Sequence, residues 1–333
     1  MSRQYAHIRS PAVIAHRGAS GYLPEHTREA KVLAHGQGAD YLEQDVVATR
    51  DGQLVVLHDL HLDDVTDVAA KFPDRRRPDG RHYVIDFDLE ELLRLRVIER
   101  RVPGSERLVY PERFVERSLE FRIVPLDEEI RLIRELNRTT GRTVGLYPEI
   151  KAPAFHRRHG VDVARLLLDT LERHGYTEAA DPAIVQCFDP AELARCRREL
   201  GTRLRLAQLI DTDAPADAYS PRALAAIAEY ADILAPPWAA LIGPAGDPRS
   251  RPAVAGFVTE AKRAGLELHP FTFRAETVPE CFEAFAAQLE FYFVELGAAA
   301  LFCDQPDVAV RVRDALNDRS IDSGGIAGPG GVD

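Results

Sequence analysis

Two carboxylates stand two residues apart in Leu42-Glu43-Gln44-Asp45-Val46, and a third lies in Leu146-Tyr147-Pro148-Glu149-Ile150-Lys151. Residues two apart on a strand project from one face, so Glu43 sides with Asp45, and Glu149 with Lys151. Tyr41, Leu42, Val46 and Val47 make the surroundings of the first pair apolar, where unpaired carboxylates are costly to bury and repel each other. A hard divalent cation with oxygen ligands resolves both problems. With no His or Cys clustered at ligand spacing, Ca²⁺ or Mg²⁺ is favoured over zinc. The plainer alternatives are a solvated strand face for Glu43 and Asp45, and a surface salt bridge for Glu149 and Lys151.

Two of the eleven histidines end apolar runs: Val13-Ile14-Ala15-His16 and Val55-Val56-Leu57-His58. One ring can withdraw a proton while the other protonates a leaving oxygen. His16 is followed by Arg17 and by Gly18-Ala19-Ser20-Gly21, small residues that permit close backbone approach to a ligand. Most other histidines, such as His156, His159 and His174, lie in polar segments and are expected to be solvated. Of the 42 basic residues only Lys31, Lys71, Lys151 and Lys262 are lysines. A lysine beside Glu149 therefore stands out, as a compact positive charge suited to a phosphate.

These residues need elements to position them. Apolar runs recur at Val13–His16, Tyr41–Val47, Thr143–Lys151, Ala183–Asp189, Leu204–Asp211, Asp232–Pro236, Leu266–Phe273 and Ala300–Asp304. Helical stretches intervene, among them Ala191–Leu200 after Asp189-Pro190, and Pro221–Tyr230 with Ser220 as N-cap. Eight strand–helix units predict a closed α/β (β/α)8 barrel, whose strands end at the active-site mouth. Arg50-Asp51-Gly52-Gln53 carries a hairpin signal, so Leu54–His58 should run antiparallel to the second strand and bring His58 back towards it. The charge-rich stretch of about 60–124 reads as a small inserted subdomain within a domain spanning 12–317. The Gly-rich tail 318–333 cannot bury apolar area and is expected to be disordered.

Composition narrows the function further. A net charge of −11 disfavours nucleic acid as a partner. No apolar run reaches the roughly 20 residues of a membrane span. The four cysteines lack metal or disulfide spacing, which suggests a reducing compartment. The first residues carry no secretory signal, and the expected location is cytoplasmic.

The combination His16-Arg17-Gly18-Ala19-Ser20-Gly21-Tyr22-Leu23-Pro24-Glu25-His26-Thr27, Glu43-Gln44-Asp45, Leu57-His58-Asp59 and Pro148-Glu149-Ile150-Lys151 resembles the glycerophosphodiester phosphodiesterases, and most of all their bacterial periplasmic-type branch. Val65-Thr66-Asp67-Val68, Gln186-Cys187-Phe188-Asp189, His269-Pro270-Phe271-Thr272-Phe273-Arg274 and Phe302-Cys303-Asp304 extend the likeness over roughly 14–312. The stretch Gly104–Phe121 departs from the family's insertion sequence. The resemblance implies a TIM barrel that hydrolyses small glycerophosphodiesters to glycerol 3-phosphate and an alcohol. It implies Glu43, Asp45 and Glu149 as ligands of a divalent cation and His16 and His58 as the acid–base pair. Arg17 and Lys151 would contact phosphate, and Phe188 and Phe271 would lie near the glycerol. A homodimer is compatible with this reading. The rival readings are a barrel phospholipase acting on phosphoinositide or sphingomyelin-type lipids, and a non-catalytic phosphate-ester binding protein.

Overall fold

The computed structural model describes residues 10–114, 118–242 and 252–324. Eight parallel strands form the barrel: β1 (Ala12–Ala15), β2 (Tyr41–Ala48), β3 (Gly145–Ile150), β4 (Ile184–Cys187), β5 (Arg205–Leu209), β6 (Ile233–Ala235), β7 (Glu267–Leu268) and β8 (Ala300–Cys303). The last strand returns to the first with Ala12 opposite Ala300 and Ala15 opposite Cys303. The remaining seam, between β7 and β8, is closed by Ala299 N donating to Leu268 O at 3.0 Å and Phe302 N to Pro270 O at 3.1 Å. Each expected run overlaps one of these strands, and the first two are offset by a single residue, at Ala12 and at Ala48.

Alternation along the strands creates two cores. One set of residues, including Ile14, Tyr41, Tyr147, Ile184, Leu209 and Phe302, fills the barrel interior. The other, including Val13, Leu42, Leu146, Val185 and Leu301, packs outward with the helices. Gly145 lets the interior close, since a Cβ there would lie 2.5 Å from the Tyr41 ring. Helix starts follow local chemistry. Thr27, Asp189 and Ser220 each accept a hydrogen bond from an N–H in the first turn of the helix they precede.

The hairpin forms where Asp51-Gly52 requires it, with Gly52 at φ 73° and Val46 opposite Val56. Residues after it build the inserted subdomain, whose own core joins Leu62, Val65, Phe87, Leu95 and Phe121 to Val47, Val55 and Leu57 of the hairpin. Its antiparallel strands, Arg96–Val97 and Phe121–Arg122, are two residues each. Strands this short leave no alternation to read. Val124–Pro125 already pairs with the hairpin strand and so leads back into the barrel.

The C-terminal boundary differs from the expected one. The helix Pro306–Gly324 continues past residue 318, because Val308, Val312 and Leu316 pack against the barrel's outer core and Arg319 pairs with Glu290 at 3.1 Å. Residues 325–333 of the expected disordered tail lie outside the described residues.

Lys31 is fully buried in the helix Arg28–Gly36. Its ammonium pairs with buried Glu129 at 2.8 Å and donates to the carbonyl of Glu43. It thus props β2 beneath its carboxylates. Lys31→Met should destabilise the fold by about 3–5 kcal/mol by leaving Glu129 charged and unpaired. Lys31→Met with Glu129→Leu should recover much of that loss, as measured by urea unfolding.

Candidate active site

The interior alternation reaches the barrel mouth as chemistry. Ile14 is followed two residues on by His16, Tyr41 by Glu43 and Asp45, and Tyr147 by Glu149 and Lys151. Asp45 stands directly opposite Glu149 in the β2–β3 register. Carboxylate oxygens of Glu43, Asp45 and Glu149 lie within 4.8 Å of one another, and these residues are only 4%, 1% and 5% exposed.

Negative charges this close repel by about 3–4 kcal/mol per pair at an effective dielectric of roughly 20. The local cations are too few to offset that. Lys151 Nζ is 2.8 Å from Glu149 and 3.8 Å from Asp45, while Arg17 Nε is 3.4 Å from Asp45. Burial and the neighbouring Asp45 push the Glu43 carboxyl up to about 8. Glu149 is also raised, by burial first, against the pull of Lys151. Burial works against the Asp45 charge too, but Lys151 and His26 overcome it and hold that carboxyl low. The protein therefore cannot keep all three charged with its own side chains.

The site fits a hard divalent cation. Its donors are all oxygens, and Asp45 Oδ1 is buried without a hydrogen-bond partner. The flanking oxygens are anchored: Glu43 accepts from Gln186 Nε2 and from the Arg17 backbone N–H, both at 2.9 Å. His26 Nε2 donates to Asp45 Oδ2 at 2.7 Å. Arg17 (φ 57°) and His26 (φ 58°) both adopt left-handed backbone conformations, an uncommon state for such residues that is enriched at functional sites.

Both strand-end histidines use Nδ1 in the same way. His16 donates to Asp304 Oδ1 and His58 to Asp59 Oδ1, each at 2.6 Å. A carboxylate can only accept, which places the proton on Nδ1 and leaves Nε2 as a free base. Burial, with Arg17 adding to it, lowers His16 to about 3 against the opposing pull of Asp304. Burial, Arg17 and Lys151 lower His58 to about 4. Both rings are neutral at pH 7.

A cleft of about 290 Å³ brings together His16, Arg17, Glu43, Asp45, His58 and Glu149 with Phe188, Trp238, Phe271 and Arg274. The Phe188 and Phe271 rings meet edge to face, with centroids 5.9 Å apart. Lys151 reaches the same region, 5.9 Å from the Phe188 ring centroid. All nine residues singled out from the sequence thus converge at the mouth.

The sequence model of the glycerophosphoryl diester phosphodiesterase family matches residues 16–308. This chain belongs to that family. It is 41% identical over 321 residues to the glycerophosphodiester phosphodiesterase of Haemophilus influenzae, covering 90% of this chain and 88% of the relative. The corresponding protein of Treponema pallidum is 38% identical over 322 residues, with 90% of each chain covered. The fold matches the crystal structure of the Agrobacterium tumefaciens glycerophosphodiester phosphodiesterase with a TM-score of 0.61 at 20% identity, covering 90% of this chain and 99% of that one. An Oleispira antarctica phosphodiesterase in complex with the product sn-glycerol-3-phosphate also gives a TM-score of 0.61 at 20% identity, over 92% and 97% of the two chains.

Within this family member, several polar residues at the site went unassigned in the sequence. Asp59 and Asp304 follow strand-end motifs but are joined to their histidines only by the fold. His26 stood inside the quoted motif without a role, and Gln186 lies on the interior face of β4, two residues before Phe188. Two expectations need correction. His156 is buried rather than solvated, accepting from Ala48 N at 3.1 Å and so tying its helix to β2. The small residues after Arg17 serve packing: a Cβ on Gly18 would lie 2.9 Å from the Ala30 backbone, and one on Gly21 would overlap Gln305. None of Gly18–Gly21 lines this cleft; Ser20 alone of the four lines a second one, of about 190 Å³, that His16 and His58 also border.

The His26–Asp45 bond yields a specific test. His26→Ala removes a buried donor and should destabilise the protein by about 1–3 kcal/mol. His26→Asn tolerates the left-handed backbone and can still donate, so it should retain more of that stability. Thermal unfolding of the two variants side by side measures the difference.

Proposed function

We propose that this chain hydrolyses glycerophosphodiesters, the deacylated forms of phospholipids, to sn-glycerol 3-phosphate and an alcohol. The observation that carries this reading is the buried carboxylate trio beside two imidazoles, each with Nδ1 committed to an aspartate. Membership of the family supports the substrate class.

Glu43, Asp45 and Glu149 would hold one divalent cation, Ca²⁺ or Mg²⁺, which when bound supplies Lewis-acid polarisation of a phosphoryl oxygen. The chain's own residues do the rest. Arg17 and Lys151, both largely buried, add positive field for the phosphate at the mouth, and such fixed charges stabilise charge that develops in the transition state. Phe188 and Phe271 wall the side taken by the glycerol. His16 and His58 present unprotonated Nε2 atoms, so either can take the nucleophile's proton. The bound phosphodiester anion brings the negative charge that favours a proton on the ring beside the leaving oxygen. The nucleophile is water or the neighbouring glycerol hydroxyl; the ring that takes its proton returns it to solvent, and the ring beside the leaving oxygen takes up from solvent the Nε2 proton it donates.

A cytoplasmic site of action belongs to the same proposal and is supported by the free cysteines Cys187, Cys196, Cys281 and Cys303. No helix of the described residues is long and apolar enough to cross a membrane.

The test is release of sn-glycerol 3-phosphate from glycerophosphocholine, glycerophosphoethanolamine and glycerophosphoglycerol. All three should be cleaved. Chelation should abolish turnover, and Ca²⁺ or Mg²⁺ should restore it better than Zn²⁺. Hydrolysis confined to intact diacyl lipids would replace this reading with a phospholipase. His16→Ala and His58→Ala should each lower kcat by about 100- to 10,000-fold with nearly unchanged Tm. A nitrophenolate leaving group should rescue only the variant that lacks the general acid.

A further inference from the structure

Each carboxylate behind a histidine is gripped by an arginine from the inserted subdomain, Asp59 by Arg100 and Asp304 by Arg113; Asp304 Oδ2 also accepts from Arg274 Nε of the barrel at 2.9 Å. Arg100 Nη1 donates to Asp59 Oδ2 at 2.6 Å, while Asp59 Oδ1 accepts from His58. Arg113 Nη2 donates to Asp304 Oδ2 at 2.7 Å, while Asp304 Oδ1 accepts from His16. We propose that Arg100 and Arg113 are positioning residues for the reaction, through which the inserted subdomain fixes the orientation of both histidines. This rests on the acid–base role given above to His16 and His58.

Three observations carry the inference further than a simple clamp between subdomain and barrel. First, one backbone-bonded loop delivers both arginines. Val109 N donates to Arg100 O at 2.9 Å and Val102 N to Arg107 O at 2.8 Å, so the chain between the two residues folds back on itself. The loop also faces the rings directly, since Val109 and Tyr110 help wall a cleft of about 190 Å³ that His16 and His58 line from the other side.

Second, each guanidinium is over-determined. Arg113 is 8% exposed. It donates through Nε to Glu276 at 2.6 Å and through Nη1 to Ser20 O at 3.1 Å, and it stacks 3.8 Å over the Tyr110 ring. Ser20 Oγ in turn donates to the carbonyl of His16 at 2.8 Å. Arg100 donates through Nε to Glu25 at 2.9 Å, and Glu25 holds Arg17 at 3.0 Å. Arg100 therefore sits between the aspartate of one histidine and the glutamate that restrains the phosphate arginine.

Third, the connections are specific. A rigid fork can satisfy two carboxylates and a carbonyl at fixed angles, which a single ammonium cannot do. An aspartate so held presents one defined oxygen to Nδ1. That fixes which ring nitrogen carries the proton and which one faces the substrate.

The test uses Arg100→Met and Arg113→Met in the full chain saturated with Ca²⁺ or Mg²⁺. Arg50→Met is the control, since Arg50 pairs with Asp88 across the same subdomain–barrel boundary without reaching a histidine. By analogy with groups that orient metal-bound histidines, each positioning variant should lower kcat for glycerophosphocholine by about 10- to 100-fold. KM should change little, and Arg50→Met should leave both parameters alone. Histidine-selective ¹⁵N NMR supplies a readout independent of turnover. The ring behind the missing arginine should lose its pure Nδ1–H tautomer, and guanidinium added to the Arg→Ala variants should restore it. If a Met variant does not fold, Arg→Lys replaces it and should show reduced kcat with a mixed tautomer. Wild-type kcat, an unchanged tautomer, or an equal loss in Arg50→Met would overturn the proposal. Failure of the wild-type chain to cleave any glycerophosphodiester would instead overturn the proposed function, leaving the tautomer result standing.

Discussion

Three carboxylates, all nearly buried and within 4.8 Å of each other, are the constraint to which the rest of the structure answers. A closed parallel barrel can hold such a group because neighbouring strands fix its register. Asp45 opposes Glu149 across β2 and β3, and Glu43 lies two residues earlier on the same face. The scaffold around them is correspondingly well tethered. Lys31 and Glu129 brace the backbone of β2 from outside the barrel, Gln186 and the Arg17 N–H tether Glu43, and His26 holds one oxygen of Asp45. Repulsion among the three is what the proposed cation would relieve, and its binding at the mouth would then be coupled to the protonation of the site.

The proton chemistry proposed for the site draws on residues from two directions. The barrel supplies His16 and its aspartate from β1 and the end of β8, strands that are neighbours in space and far apart in sequence. The hairpin after β2 supplies His58 and Asp59. Burial and the nearby Arg17, joined at His58 by Lys151, lower the pKa of both rings, while an aspartate accepts from Nδ1 of each. The inserted subdomain closes over this arrangement from one side. Its own small core is continuous with Val47, Val55 and Leu57 of the hairpin, so its placement and that of His58 are set by the same packing.

Period-two alternation made the barrel and the carboxylates legible in the sequence, because apolar strand runs that end in charged residues suit a buried sheet opening onto a polar mouth. Asp51-Gly52 was enough to turn His58 back on β2. The aspartate partners of the histidines were not legible from the chemistry of the residues, since Asp304 is 288 positions from His16 and only barrel closure brings them together. Asp59 adjoins His58 in sequence, but adjacency says nothing about whether two side chains meet. His156 lies among arginines in a polar-looking helix, which hid its bond to the backbone of β2. Gly18 and Gly21 mislead for a related reason. Small residues next to a catalytic motif suggest room for a ligand, whereas here they make room for Ala30 and Gln305. The helix running to Gly324 shows the same limit, as its apolar positions gain meaning only once the barrel is there to receive them.

The claim that the carboxylate trio is completed by a divalent cation can be tested without reference to turnover. Calorimetry of Mg²⁺ or Ca²⁺ binding to the chelated protein, repeated at pH 7 in buffers of different ionisation enthalpy, counts both ions bound and protons released. With Glu43 raised to about 8 and Glu149 raised as well, the metal-free site holds protons at pH 7 that a bound cation must displace. The account predicts binding of one ion per chain with net proton release that shrinks as the pH is raised above 8. Absence of binding, or binding with no proton released at pH 7, would contradict it.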